Sequence, residues 1–268
     1  MRYLGFPIDQ KRLLNKDWKQ AEEKMEKKVG CWQGNLQSIG GRVTLINACL
    51  SSTPLYMLSF FRVPIGVREK MDFLRRRFLW QEDQGIRKYH LVNWHTICSH
   101  REIEGLGILD LEAMNIALLG KWIWNLETSD GMWQQLIRQK YLFKNILAAT
   151  KLRPGASHFW QGIMDVKNSF FKFCTKKPGD GKNTLFWEDN WLGGKPLAEQ
   201  FPFLYRITHK PHITLAKVKE IGWTEMTFRR NLVGDRLADW NRIKASCNQL
   251  TLNDKKDVVV WNLTKNGL

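Results

Sequence analysis

The residues best placed to do chemistry are acidic pairs. Glu82-Asp83 and Glu188-Asp189 each sit in a stretch of turn-forming composition, with Asp180 upstream of the second. Phosphoryl transfer by two metal ions needs carboxylates from separate segments converging within a few ångströms, and Asp180, Glu188 and Asp189 are the set this sequence offers. Turns attract Asp and Glu without any metal, so solvated turn residues are the competing reading. No Asp-Asp pair occurs in the chain. His90, His95 and His100 are spaced five apart, whereas one helical face needs three or four. Cys31, Cys49, Cys98, Cys174 and Cys247 never form a C-x-x-C pair, so they read as reduced intracellular thiols and not as a zinc set or a disulfide framework. Gly105-Leu-Gly107 lacks the rest of a dinucleotide fingerprint, and neither a Gly-x-Ser-x-Gly elbow nor a phosphate-binding Lys loop is present. No cofactor and no metal is expected.

Cations offer more. Lys and Arg number 42 against 26 Asp and Glu, giving a formal net charge of +16. Such an excess favours a polyanionic partner, because each cation set against a phosphate releases a counterion. Arg75, Arg76 and Arg77 form a basic belt, since three adjacent residues cannot share one helical face, and Arg42 lies near the start of an apolar helical run. These four arginines are the candidate nucleic-acid contacts; a solvated basic surface is the alternative. The 13 Trp admit base stacking or core packing, and Trp18, Trp122 and Trp160 lie in helical apolar patterns that favour the core. There is no signal-peptide pattern and no apolar run near the ~20 residues that span a bilayer, so a soluble intracellular chain with no membrane partner is expected.

The elements that must position these groups are mostly helical. A short strand is expected at Tyr3–Ile8, then a helix capped by Asn15 with Trp18, Ala21, Met25 and Val29 on one stripe, a Glu23–Lys27 pair on its outer face and Gly30 as its C-terminal cap. Val43, Ile46 and Leu50 carry the next helix as far as Pro54. Pro64 opens another, with Val67, Met71, Leu74 and Phe78 in register. His90–Cys98 fits a strand or a short helix equally well. Asp110 caps a further helix, and others are expected at Met132–Leu142 and His158–Cys174. Near residue 175 the texture changes to turn clusters and short segments: a strand leading into a loop over Thr184–Gly193, a helix over Asp235–Asn248, and a strand from Asp257 into Asn266-Gly267, a hairpin whose second strand is missing. The expected fold is therefore mainly α, α+β overall, a helical bundle followed by a smaller mixed segment.

Several words stand in a telling order. They are Tyr3-Leu-Gly5, Gly40-Gly-Arg-Val-Thr-Leu-Ile-Asn47, Leu50-Ser-Ser-Thr-Pro-Leu-Tyr56, Arg75-Arg-Arg-Phe-Leu-Trp80, His90-Leu-Val-Asn-Trp94, Glu104-Gly-Leu-Gly-Ile108, Ala117-Leu-Leu-Gly-Lys-Trp122 and Gly179-Asp-Gly-Lys-Asn-Thr-Leu-Phe-Trp-Glu-Asp-Asn-Trp-Leu192. In this order the chain resembles the carboxy-terminal part of plant LINE-type, non-LTR retrotransposon reverse transcriptases. The resemblance implies a primer-grip-like remnant over 1–14 carrying Tyr3, Leu4 and Gly5, a thumb-like helical region over 15–80, a helical connection over 81–175, and a mixed segment over 176–268 leading into a truncated zinc-binding domain. It implies RNA, DNA or their template–primer hybrid as partner, with Arg42 and Arg75 to Arg77 against backbone phosphates, and makes the nucleus a possible location. The family's Tyr-x-Asp-Asp motif is absent, so the expected protein is a truncated, catalytically inactive fragment, not an enzyme. The alternatives are a nonfunctional product with no specific ligand and, less favoured, a metal-dependent enzyme using Asp180, Glu188 and Asp189.

Overall fold

The computed structural model describes residues 14–32, 37–80, 92–143 and 145–263, with the backbone of residues 2, 3, 6 and 7. Helices dominate, and the described strands form two small antiparallel pairs. The mainly α architecture is thus the one expected. The chain divides into two compact units, residues 1–122 with 153–166, and residues 123–152 with 167–268.

In the first unit, β1 (Arg2–Tyr3) pairs with β2 (Phe6–Pro7). Helix α1 (Asn15–Cys31) begins one residue earlier than the sequence suggests: Leu14, not Asn15, is the cap, and the Asp17 carboxylate accepts from the Leu14 N–H at 2.8 Å. Gly30 lies inside this helix and does not cap it, because the helix runs on to Cys31 and Trp32 closes it. The stripe is as expected, with Trp18 and Met25 fully buried. Glu23 lies 3.9 Å from Lys19 rather than reaching Lys27. Helix α1 packs on α4 (Ile65–Trp80), whose Val67, Met71, Leu74 and Phe78 all face the core.

Between them, α2 (Ile39–Leu45) is capped by the Ser38 hydroxyl and widens into a π turn at Ile46–Leu50 before the short α3 (Leu55–Leu58). His90 and the pair Glu82-Asp83 lie outside the described residues. The ambiguous stretch after them resolves as helix α5 (Trp94–Cys98), capped by the Asn93 side chain. The turn at Gly105 needs glycine, because a Cβ there would stand 1.9 Å from the Ser99 carbonyl oxygen. Asn47 fixes the segment leading out of this turn, donating to the Gly107 carbonyl at 2.9 Å and accepting from the Leu109 N–H at 3.0 Å. Asp110 then caps α6 (Leu111–Thr128) as expected, accepting from the Ala113 N–H at 2.8 Å. Asn115 on α6 is fully buried and spends its whole amide on the approach to α4. It donates to the Leu58 and Phe61 carbonyls and accepts from the Val63 N–H and the Arg62 guanidinium.

The second unit holds α7 (Met132–Ile137), continued by a π turn to Leu142, the end of α8 (His158–Lys172), β3 (Cys174–Lys177), the short helices α9 (Leu197–Gln200), α10 (Pro202–Ile207) and α11 (Leu215–Ile221), the longer α12 (Asp235–Gln249), and β4 (Val258–Trp261). Strand β4 pairs antiparallel with β3, Cys174 opposite Trp261 and Lys177 opposite Val258. Strand β4 thus finds its partner upstream, and the Asn266-Gly267 turn lies outside the described residues. Of the strand leading into a loop expected over Thr184–Gly193, the strand is reduced to an isolated bridge from Leu185 to Thr214, and the segment coils so that Phe186 and Trp187 enter the core beside Trp240. Trp187 stacks on Trp240 with centroids 6.1 Å apart. Aromatic area and edge-to-face contact, which regular ladders do not supply here, hold this core.

Candidate nucleic-acid interface

The arginines singled out by the sequence point inward in two cases of four. Arg42 is buried, and its guanidinium donates to the Leu79 carbonyl at 2.9 Å and the Gln37 carbonyl at 3.0 Å. Arg75 is wholly buried on the inner side of α4, pairs with Asp72 at 2.7 Å, donates to the Leu109 carbonyl and lies over the Trp94 ring. Burial pushes the Arg75 pKa down while Asp72 opposes the shift, and burial pushes the Asp72 carboxyl up despite Arg75. Withdrawing either guanidinium to meet a phosphate would leave buried carbonyls unpaired. Arg76 and Arg77 are half-buried on the flank of α4, where Arg76 donates to the Asp72 carbonyl at 3.4 Å. The belt is therefore divided, one member inside and two at the surface. Tyr3 lies in β1, while Leu4 and Gly5 fall outside the described residues.

The second half of α1 presents a different set of cations. A concavity of about 560 Å³ is lined by Lys24, Lys27 and Lys28, by Trp32 and Cys31, and by the hydroxyl residues Ser52 and Thr53 of the turn before α3. Among the described residues none of its lining side chains is a carboxylate. Lys28 is committed to the scaffold, donating to Thr53 Oγ1 at 3.0 Å and to the Cys49 carbonyl at 3.4 Å, so it ties the helix to the turn. A cation in the last helical turn also suits the macrodipole, which is its structural role. Lys24 and Lys27 are exposed beside it. The Ser52 and Thr53 hydroxyls are spent on the scaffold, donating to the Ala48 and Cys49 carbonyls at 2.7 Å each, so the surface offers two movable ammonium groups and one half-buried indole face, parts from which backbone contact with a nucleic acid is built. Sequence reasoning passed over it because the lysines alternate with Glu22, Glu23 and Glu26 along the chain; only the helical turn separates them in space.

The acidic residues of the second unit do not form a metal centre. Among the described residues no group of three or more His, Cys, Asp or Glu side chains converges to hold an ion. Asp189 is buried against Lys176 at 3.0 Å and accepts from the Leu185 N–H, whereas Glu188 accepts from the Tyr205 hydroxyl at 2.5 Å and contacts His212 at 2.9 Å. Asp180 turns to its own loop, accepting from the Lys182 N–H at 3.1 Å. The candidate carboxylate set is thus spent on three separate structural tasks. Trp18 and Trp160 are core residues as expected, and Trp122 donates its indole N–H to the Ser59 carbonyl at 2.7 Å.

Fold and site together define a mainly α, strongly basic chain of two units with an open cationic surface on its first helix. No family model matches it, and no solved structure does. Two proteins of Arabidopsis thaliana are similar. One, named "Putative ribonuclease H protein", is 32% identical over 200 residues, covering 72% of this chain and 32% of that protein. The other, named "Uncharacterized mitochondrial protein", is 26% identical over 141 residues, 52% of this chain and 92% of that protein. The chain thus spans about a third of the length of the first. Among the described residues, no helix is long and apolar enough to cross a membrane.

Proposed function

We propose that this chain is a retroelement-derived, reverse-transcriptase-like segment that binds the sugar–phosphate backbone of an RNA, DNA or template–primer duplex and performs no polymerase chemistry itself. The observation that carries the reading is the concavity beside α1, where Lys24 and Lys27 stand exposed with Ser52 and Thr53 and no lining carboxylate among the described residues. The net charge of +16 supplies the long-range attraction, and Arg76 and Arg77 extend the cationic surface of the same unit. The motif order that resembles LINE-type reverse transcriptases and the similarity to a plant protein named for ribonuclease H both support a retroelement origin. A ribonuclease or polymerase activity in this chain is the weaker reading, because two-metal chemistry needs converging carboxylates and the described ones are dispersed.

Filter binding of a template–primer hybrid across a salt series tests the proposal. Affinity should fall steeply with salt, and Lys24→Ala with Lys27→Ala should reduce the slope of log affinity against log salt by about one to two. Salt-independent binding, or an unchanged slope in the double variant, would sink it. Absence of binding would favour a chain with no specific ligand.

A further inference from the structure

The second unit contains a cavity of about 530 Å³ that takes no part in the proposed duplex contact. Its wall is mixed: Leu126, Leu142 and Ile146 on the helical side and Val258 and Val259 of β4 are aliphatic, and Asp130, Arg138, Lys256 and Asp257 bring charge to the rest. Deep in it lies the Glu127 side chain, only 13% exposed, whose nearest cation, Lys176 Nζ, is 4.0 Å away and beyond hydrogen-bond reach. Among the described residues no hydrogen bond satisfies the Glu127 carboxyl. Lys176 donates to Asp189 at 3.0 Å and to the Asn183 carbonyl at 2.6 Å, which leaves one of its three N–H groups uncommitted beside Glu127. At the mouth Lys256 is 79% exposed and held by Asp130 at 2.8 Å, a surface pair that costs little to exchange. The cavity therefore pairs an acceptor with a donor beside aliphatic patches from α6, the π turn and β4, and carries Lys256 and Arg138 as cations among the Asp130 and Asp257 carboxylates.

We propose that this cavity is a nucleotide-binding site, with the hydrogen-bonding edge of the base at Glu127 and Lys176, the base faces against the aliphatic patches, and the phosphate at Lys256. An acceptor beside a donor complements the alternating edge of a nucleobase, as carboxylates accept the amine of cytosine in duplex readout. The volume lies within the range of small-molecule sites, in which a few polar groups fix orientation against apolar walls. The site is separate from the concavity in the first unit, whose lysines would meet the phosphate of ribose 5-phosphate as readily as that of a nucleotide.

Isothermal titration calorimetry of the full chain with cytidine monophosphate, cytidine, ribose 5-phosphate and inorganic phosphate tests it. Cytidine monophosphate should bind saturably and at least tenfold more tightly than ribose 5-phosphate. Glu127→Gln should weaken it about tenfold, while Lys256→Ala should weaken it about threefold and leave cytidine unaffected. Equal binding of ribose 5-phosphate, no saturable binding, or an affinity untouched by Glu127→Gln in a folded variant would overturn the proposal. The ligand series on the unaltered chain decides the matter even where a variant fails to fold.

Discussion

The two units differ in how much of the packing rests on buried charge. In the first, apolar stripes on regular helices make the core, buried arginines brace it, and lysines stay outside around a concavity. In the second, buried charges reinforce an aromatic core. The Lys167 ammonium donates to the Leu147, Ala148 and Thr150 carbonyls, Lys176 bridges Asp189 toward Glu127, and Asp257 collects four donors. Those four are the Gly179, Gly181 and Asn183 N–H groups and the Thr184 hydroxyl, at 2.6, 2.8, 2.9 and 2.8 Å. A glycine loop wrapped on a carboxylate is a backbone nest filled from within the chain. Gly179 sits so close to the next segment that a Cβ there would stand 2.1 Å from the Lys255 carbonyl oxygen. In both units polar side chains satisfy backbone groups between elements, and the irregular second unit, with fewer ladders, leans on them more heavily.

Breaking the second unit should therefore be easier with a single polar substitution. Lys176→Met strands Asp189 and Glu127 in the interior and should cost about 4 kcal/mol in urea unfolding. Adding Asp189→Leu should recover part of that loss. Asp257→Ala removes all four bonds to the glycine loop and should cost about 3 kcal/mol by the same measurement. In the first unit, Arg42→Ala deprives two carbonyls of their donor and should cost about 2 kcal/mol, yet leave the salt slope of nucleic-acid binding unchanged. A reduced slope in that variant would mean that Arg42 touches phosphate after all.

The smallest effect is one of pH. Burial pushes the Glu127 carboxyl up, with Lys176 opposing. Burial would lower the Lys176 pKa, but Asp189 and Glu127 outweigh it and hold it above the ordinary lysine value. Because the folded pKa of Glu127 lies above its unfolded value, its contribution to stability is whole below the ordinary glutamate range and is lost as pH rises through the folded value. Thermal melts of Glu127→Gln should accordingly match those of the parent at acid pH and exceed them at alkaline pH.

The same contrast explains what could be read in advance. The stripes of α1 and α4, the Asp110 cap and the long helix α12 follow from period and capping chemistry alone, and the structure has them. Thr184–Gly193 misled because Leu185, Phe186 and Trp187 have strand composition, while the Asp189 carboxylate, accepting from the Leu185 N–H, bends the segment into a coil. The burial of Arg42 and Arg75 is hidden from the sequence for a related reason. Arg42 and Arg75 were visible as charge, but their neighbours Leu79 and Leu109, whose carbonyls they serve, lie more than thirty residues away. Long-range pairing of a side chain with a carbonyl leaves no periodic trace. Lys24 and Lys27 were hidden the other way, since a mixed run of Lys and Glu reads as neutral until the helix sorts it.

The buried amide of Asn115 has a consequence in time. Its nitrogen supplies both donors to Leu58 and Phe61, so hydrolysis to aspartate would set a carboxylate against two carbonyl oxygens. While folded, the helix shields this group; a chain left unfolded long enough to lose the amide should be unable to close the same approach to α4. Peptide mapping of aged, denatured material that refuses to refold should find the change at this position. A reversible excursion thereby becomes a one-way ratchet, set by a single atom.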